Sequence, residues 1–174
     1  PAIFAFHQPA LVNIRFLFII FSSCFLSCAT MHKTSNPITG SYTGEKLKAH
    51  KQCPWLNEGI ELYQPDSPVI DKLRILSVDF EVLVFGGTWC SDTRFLLPKF
   101  MKVASQAGFE ERVEYYLLDI NKASRKKREE KYRIEYVPTF IVLQNGKEKG
   151  RIVESVKTSI ELELLEIMKG AKES

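Results

Sequence analysis

From Val82 to Phe85 the apolar positions run without a polar interruption, the pattern of a strand covered on both faces, as in a parallel sheet. Gly86-Gly87 breaks the run. Thr88-Trp89-Cys90 then leads into an amphipathic stretch with Phe95, Leu96, Phe100 and Val103 on its apolar side. Gly108 predicts the end of that helix, and Val113 to Asp119 reads as the next strand. A strand, a long helix and a second strand make a βαβ unit, which implies parallel pairing. Ser124 predicts the cap of a short charged helix through Tyr132, and Thr139 to Leu143 is another apolar strand. Asn145-Gly146 is a two-residue hairpin signal, so Lys149 to Val156 is expected to return antiparallel. Thr158 and Glu161 have capping-box spacing for a last helix, with Ile160, Leu164, Ile167 and Met168 inward and a stop near Gly170.

Upstream the pattern is looser. Pro54-Trp55-Leu56 with Ile60 and Leu62 predicts a short helix or a packed irregular segment. Ser67 and Pro68 suit the cap and first turn of a helix carrying Ile70, Leu73 and Leu76. The order predicts an α/β fold, a mixed sheet with helices on both faces. No internal repeat or low-complexity tract is visible.

The 174 residues suit one compact domain plus a tail, and a net charge of +3 excludes little. The first 28 residues stand apart from the fold. Arg15 precedes an apolar run from Phe16 to Cys28, too short for a mature membrane span and suited to a signal-peptide core. Its end, Ser27-Cys28 before a polar stretch, resembles a bacterial lipoprotein signal, with Cys28 the lipidated residue and Ser23-Cys24 a second candidate. That resemblance implies a protein on the periplasmic side of a membrane, held there by lipid alone. A plain secretion signal and a cytosolic product starting at Met31 are the alternatives. Residues 29–48, rich in Thr, Ser, Gly, Asn and Lys, read as a flexible spacer before a domain spanning 49–174.

Cys90 falls where a strand's carboxyl end meets a helix's amino end, and unpaired N–H groups with the helix dipole favour a thiolate there. One turn on, Thr93 is placed to donate a hydrogen bond to that sulfur, whereas Asp92, a like charge, opposes the thiolate. Pro138 opens a strand that reads as central, where proline removes a ladder bond and points to a special turn, often a cis peptide. Cys53 is read as a buried or incidental thiol, with a distant partner for Cys90 as the alternative. His50 with Cys53 lacks the second pair that a metal site needs. The mixed-sign run Arg125–Lys131 reads as a solvated helix face, not a nucleic-acid surface.

The element order, Trp89-Cys90-x-x-Thr93, Pro98 inside the helix, and Val137-Pro138-Thr139 ahead of an Asn-Gly hairpin together resemble the thioredoxin family over about residues 78–170. The resemblance implies a three-layer α/β/α fold around a mixed sheet of four to five strands. It also implies a cis-proline at Pro138 lying against the reactive sulfur, Trp89 on the site rim, and a Val137 backbone that pairs with an extended polypeptide. No cofactor or metal is implied; the expected partners are protein or small-molecule thiols and disulfides. Two departures stand out. The second cysteine of a dithiol site is replaced by Thr93, and the family's buried acid is replaced by Val84. What remains is a single reactive Cys90 exchanging through a mixed disulfide, or a non-catalytic module holding an extended segment between Trp89 and Pro138.

Overall fold

Phe80 to Gly86 is buried at every position but Glu81, and its side chains alternate between two apolar clusters on opposite faces of one sheet. The computed structural model describes residues 36–123 and 127–173. The signal-like run with Cys24 and Cys28, the Ser124 cap and the first cations of the charged run lie outside the described residues. In chain order the described elements are β1 (Gly40–Tyr42), α1 (Gly44–Lys48), α2 (Pro54–Leu62), α3 (Ser67–Leu76), β2 (Phe80–Gly86), α4 (Ser91–Gln106), β3 (Val113–Leu117), α5 (Arg128–Lys131), β4 (Thr139–Gln144), β5 (Lys147–Val153) and α6 (Ile160–Glu173). The sheet runs β1-β3-β2-β4-β5, with β2 parallel to β3 and every other pairing antiparallel.

The larger core lies between the sheet and α1, α2, α3, α4 and α6, which supply Leu47, Leu56, Leu73, Phe100 and Leu164 among others. The smaller core, around Phe85, Tyr116 and Ile141, is covered by Trp89, Cys90, Tyr132 and Ile134. The layer on that second face is therefore thin: the single turn of α5 and the chain on either side of it. Cys90 belongs to this thin side, so the site is roofed by loop rather than by a long helix.

The elements follow from local chemistry, with corrections at their ends. Ala107 caps α4, Gly108 takes φ +74°, and Phe109 N–H and Gly108 N–H close back onto Ala104 and Ser105 carbonyls at 2.9 and 3.2 Å. At the β4–β5 hairpin both loop residues have positive φ, Asn145 at 52° and Gly146 at 72°. β5 stops at Val153 rather than Val156, because Glu154 turns left-handed at φ 57°. α3 is capped by Asp66, not Ser67: its carboxylate accepts the Val69 N–H at 3.2 Å. Phe95, expected on the apolar side of α4, is 62% exposed, with the Lys99 ammonium 3.4 Å from its ring centroid. α5 begins only at Arg128, after Lys127 at φ 50°. The stretch Gly40–Lys48, expected to be spacer, forms β1 and α1, since the outer edge of β3 offers backbone partners to a segment too short and polar to show periodicity.

The capping box expected from Thr158 and Glu161 does not form. Ser159 caps α6 instead, accepting the Leu162 N–H at 3.4 Å, and the helix continues past Gly170 to Glu173. Glu161, 3% exposed, reaches across to the α2–α3 connection, where its carboxylate accepts the Tyr63 hydroxyl at 2.6 Å and the Asp66 N–H at 3.2 Å. A buried carboxylate near a helix amino end is stabilised by the dipole, but only while its donors are present. Tyr63→Phe removes one donor to a charged acceptor and is expected to cost about 1.5–3 kcal/mol in urea unfolding. An unchanged midpoint would show that this link between helices does not stabilise the fold.

Tyrosine ionisation gives the fold a pH limit. Burial, then the hydrogen bond to Glu114 and its charge, push the Tyr116 hydroxyl up to about 12. Burial, with Glu161 and Glu110 respectively, also raises Tyr63 and Tyr115 above the ordinary tyrosine range. The unfolded chain gives up these protons near pH 10, before the folded one, so it binds fewer protons there and stability falls as pH rises. Denaturant midpoints measured from pH 9 to 11 are expected to decline steadily; a flat profile would contradict the tyrosine environments.

Candidate functional site

The site begins where β2 ends, at two glycines that the packing demands. A Cβ on Gly86 would come within 2.9 Å of Thr93 Cγ2, and one on Gly87 within 2.6 Å of the Trp89 ring. Leu118 N–H donates to the Gly86 carbonyl at 2.8 Å, and Cys90 N–H donates to the Gly87 carbonyl at 3.0 Å, closing the turn. Cys90 is then the N-cap of α4, extended at φ −84° and ψ 127°, its carbonyl accepting the Arg94 N–H at 3.1 Å. The sulfur therefore lies at the amino end of a 16-residue helix, where free N–H groups and the dipole attract negative charge.

The opposite wall comes from the approach to β4. The Val137–Pro138 peptide is cis, and both residues are buried. The Cys90 thiol donates to the Val137 carbonyl across 3.2 Å. Two bonds hold this wall: Glu154 N–H donates to the Pro138 carbonyl at 2.8 Å, and the Thr139 hydroxyl donates to the Tyr136 carbonyl at 2.7 Å. Trp89, half-buried beside the thiol, is pinned by its indole N–H, which donates to the Leu118 carbonyl at 3.1 Å. The Leu118 carbonyl is a component that sequence reasoning missed. A backbone acceptor carries no side-chain signal, and only the parallel pairing of β2 with β3 brings it there.

Cys90, Trp89, Val137 and Pro138 are thus brought together. Asp92 is exposed in the first turn of α4. Thr93 is placed differently from expectation: fully buried, its hydroxyl accepts the Gly87 N–H at 3.2 Å, and it makes no hydrogen bond to Cys90 among the described residues. It braces the turn instead of the sulfur. Val84, 1% exposed, lies in the larger core, an aliphatic side chain at the position of the family's buried acid.

Cys53 is a free thiol, as is Cys90, and is buried as the N-cap of α2. Burial pushes its thiol above the usual range, with the Arg94 charge opposing. α2 packs along α4: the Arg94 guanidinium lies 5.4 Å from the Trp55 ring, and a Cβ on Gly59 would fall 2.7 Å from Pro98 Cβ. His50 Nδ1 accepts the Gln52 N–H at 3.2 Å, and the described residues hold no cluster of three His, Cys, Asp or Glu side chains suited to a metal.

The sequence model of the Thioredoxin family matches residues 72–166. Thioredoxin H2-2 of Oryza sativa subsp. japonica is 32% identical over 80 residues, covering 46% of this chain and 56% of that protein. A thioredoxin of Echinococcus granulosus is 34% identical over 76 residues, covering 44% of this chain and 66% of its own. The chain thus spans between about half and two thirds of these curated relatives. Among solved structures, a protein of unknown function from Pseudomonas aeruginosa superimposes with a TM-score of 0.58 at 16% identity, covering 75% of this chain and 93% of that one, a likeness of fold alone. The family match takes in the whole stretch from β2 to β5, where the half-buried thiol faces the cis-proline wall, and the chain belongs to the thioredoxin family.

Proposed function

We propose that the protein performs thiol–disulfide exchange through one reactive sulfur, Cys90. The observation that carries this reading is the half-buried Sγ at the amino end of α4, 3.2 Å from the Val137 carbonyl and beside cis-Pro138. The Cys90 thiolate attacks one sulfur of a partner disulfide. The partner's S–S bond breaks as the Cys90–partner S–S bond forms, and the departing thiolate takes up the proton that Cys90 released. With Thr93 in place of a second cysteine, release needs two thiols from outside. The first attacks the Cys90 sulfur and frees the partner as a thiol. The second attacks that new mixed disulfide, regenerating Cys90 and leaving the two outside sulfurs joined as a disulfide. Trp89 and the Val137 backbone line the approach, the latter as the partner for an extended polypeptide.

A second reading has its own support. Val84 puts an aliphatic side chain where the thioredoxin family keeps a buried acid, which favours a module that holds an extended segment without chemistry. The two readings separate on one experiment. Oxidised glutathione is expected to add one glutathione to Cys90 in intact-mass and peptide mapping, with buried Cys53 at least tenfold slower, roughly the protection of a thiol held in the core. Cys90→Ser is expected to abolish the adduct, and a wild-type protein that stays unmodified would leave only the binding module.

We also propose that residues 1–28 act as a lipoprotein-type signal with Cys28 as the anchor, on the periplasmic side of a bacterial membrane. The support is the Arg15 flank, the apolar run and the Ser27-Cys28 ending. No helix among the described residues is long and apolar enough to cross a membrane. Cys28→Ser is expected to move the protein from the membrane fraction to the soluble one; retention in the membrane fraction would overturn the anchor.

A further inference from the structure

Away from Cys90, the carboxyl half of α4 borders a cavity of about 450 Å³, within the range of small-molecule sites. Met101, the nearest part of its floor along the helix, is eleven residues beyond Cys90, which is about 16 Å at the helical rise. Met101 and Val113 form the apolar floor, with Ile60 at one side. Gly44, the first residue of α1, leaves the space over that floor open: a Cβ there would meet Met101 Cε at 3.2 Å and the Tyr115 hydroxyl at 3.6 Å.

Tyr115 is 1% exposed and lines this cavity, yet its hydroxyl makes no hydrogen bond among the described residues. The hydroxyl oxygen is open to the cavity, since Ser77 Oγ is the one enclosed side-chain polar atom without a partner among the described residues, so a ligand in the cavity meets a hydrogen-bonding group that no protein atom occupies. The charges at the mouth set the ligand's sign. Glu45, Glu110 and Glu111 outnumber Lys48 and Lys102, and the Glu110 charge acts directly on the Tyr115 hydroxyl. We infer that this cavity binds a small primary amine with an apolar body, its ammonium donating to the Tyr115 oxygen and paired with Glu110, its body over Met101 and Val113. The site is separate from Cys90 and independent of the exchange chemistry.

Two probes of one shape and opposite charge test it on the full chain: 2-phenylethylamine and 3-phenylpropionate, followed by amide and methyl NMR. The amine is expected to shift Gly44, Met101 and Tyr115 saturably, and the acid is not. Tyr115→Phe, which keeps the ring packing, is expected to weaken the amine roughly 5- to 10-fold, the worth of one hydrogen bond. Gly44→Leu fills the cavity and is expected to abolish the shifts while buried Cys53 stays protected from oxidised glutathione, which verifies that the variant is folded. Absence of saturable shifts with the amine, equal or better binding of the acid, or unchanged affinity in Tyr115→Phe would each overturn the assignment.

Discussion

At the exit of β2 the backbone has room for hydrogen and nothing more. Thr93 Cγ2 and the Trp89 ring occupy the space that side chains on residues 86 and 87 would need. Because both contacts come from the turn and helix that follow, the strand, the turn and the start of α4 are fitted together as one rigid piece. Thr93 completes that fit by taking the Gly87 N–H, and Leu118 completes it by taking the Trp89 indole and giving its own N–H to Gly86. The location of Cys90 Sγ is thus fixed by steric exclusion and three hydrogen bonds, none of which involves the sulfur. A thiol held this way loses little conformational freedom when it reacts, which is the advantage of building a site on rigid elements.

The same rigidity explains why one residue, Thr93, serves here as support. A buried hydroxyl is stabilised by a partner, and Thr93 finds one in the N–H of Gly87 at the β2 exit. Reading the sequence for spacing alone placed that hydroxyl against Cys90, because the i, i+3 rule gives proximity along a helix without giving direction. The central strand, the long helix, the hairpin and the cis-proline wall were all legible, because each has a strong local signature: an unbroken apolar run, a helical period ended by glycine, Asn-Gly, and proline beside a core strand. What was not legible depends on partners distant in the chain. β1 exists because β3 has an open edge; Glu161 leaves its cap because Tyr63 and Asp66 wait across the fold. Phe95 escaped because a ring shielded by Lys99 tolerates water, which periodicity does not reveal.

The two faces of the sheet divide the labour. One carries nearly all the helices and most of the buried apolar side chains. The other is covered by one helical turn and connecting chain, and it is the side on which the thiol, the indole and the proline meet. Local opening is easiest where few apolar groups are buried, so any motion that admits a partner falls on the site's own side and spares the main core.

Gly59 and Pro98 touch where α2 crosses α4, so closely that a methyl group at 59 has no room. α2 lies upstream of residues 72–166, which match the family, whereas Pro98 lies in α4, eight residues beyond Cys90. α2 is therefore a wedge set against the shaft bearing the sulfur. Any side chain at residue 59 must re-tilt one helix against the other, and through that lever a position remote from the sulfur sets the angle at which the thiol is presented.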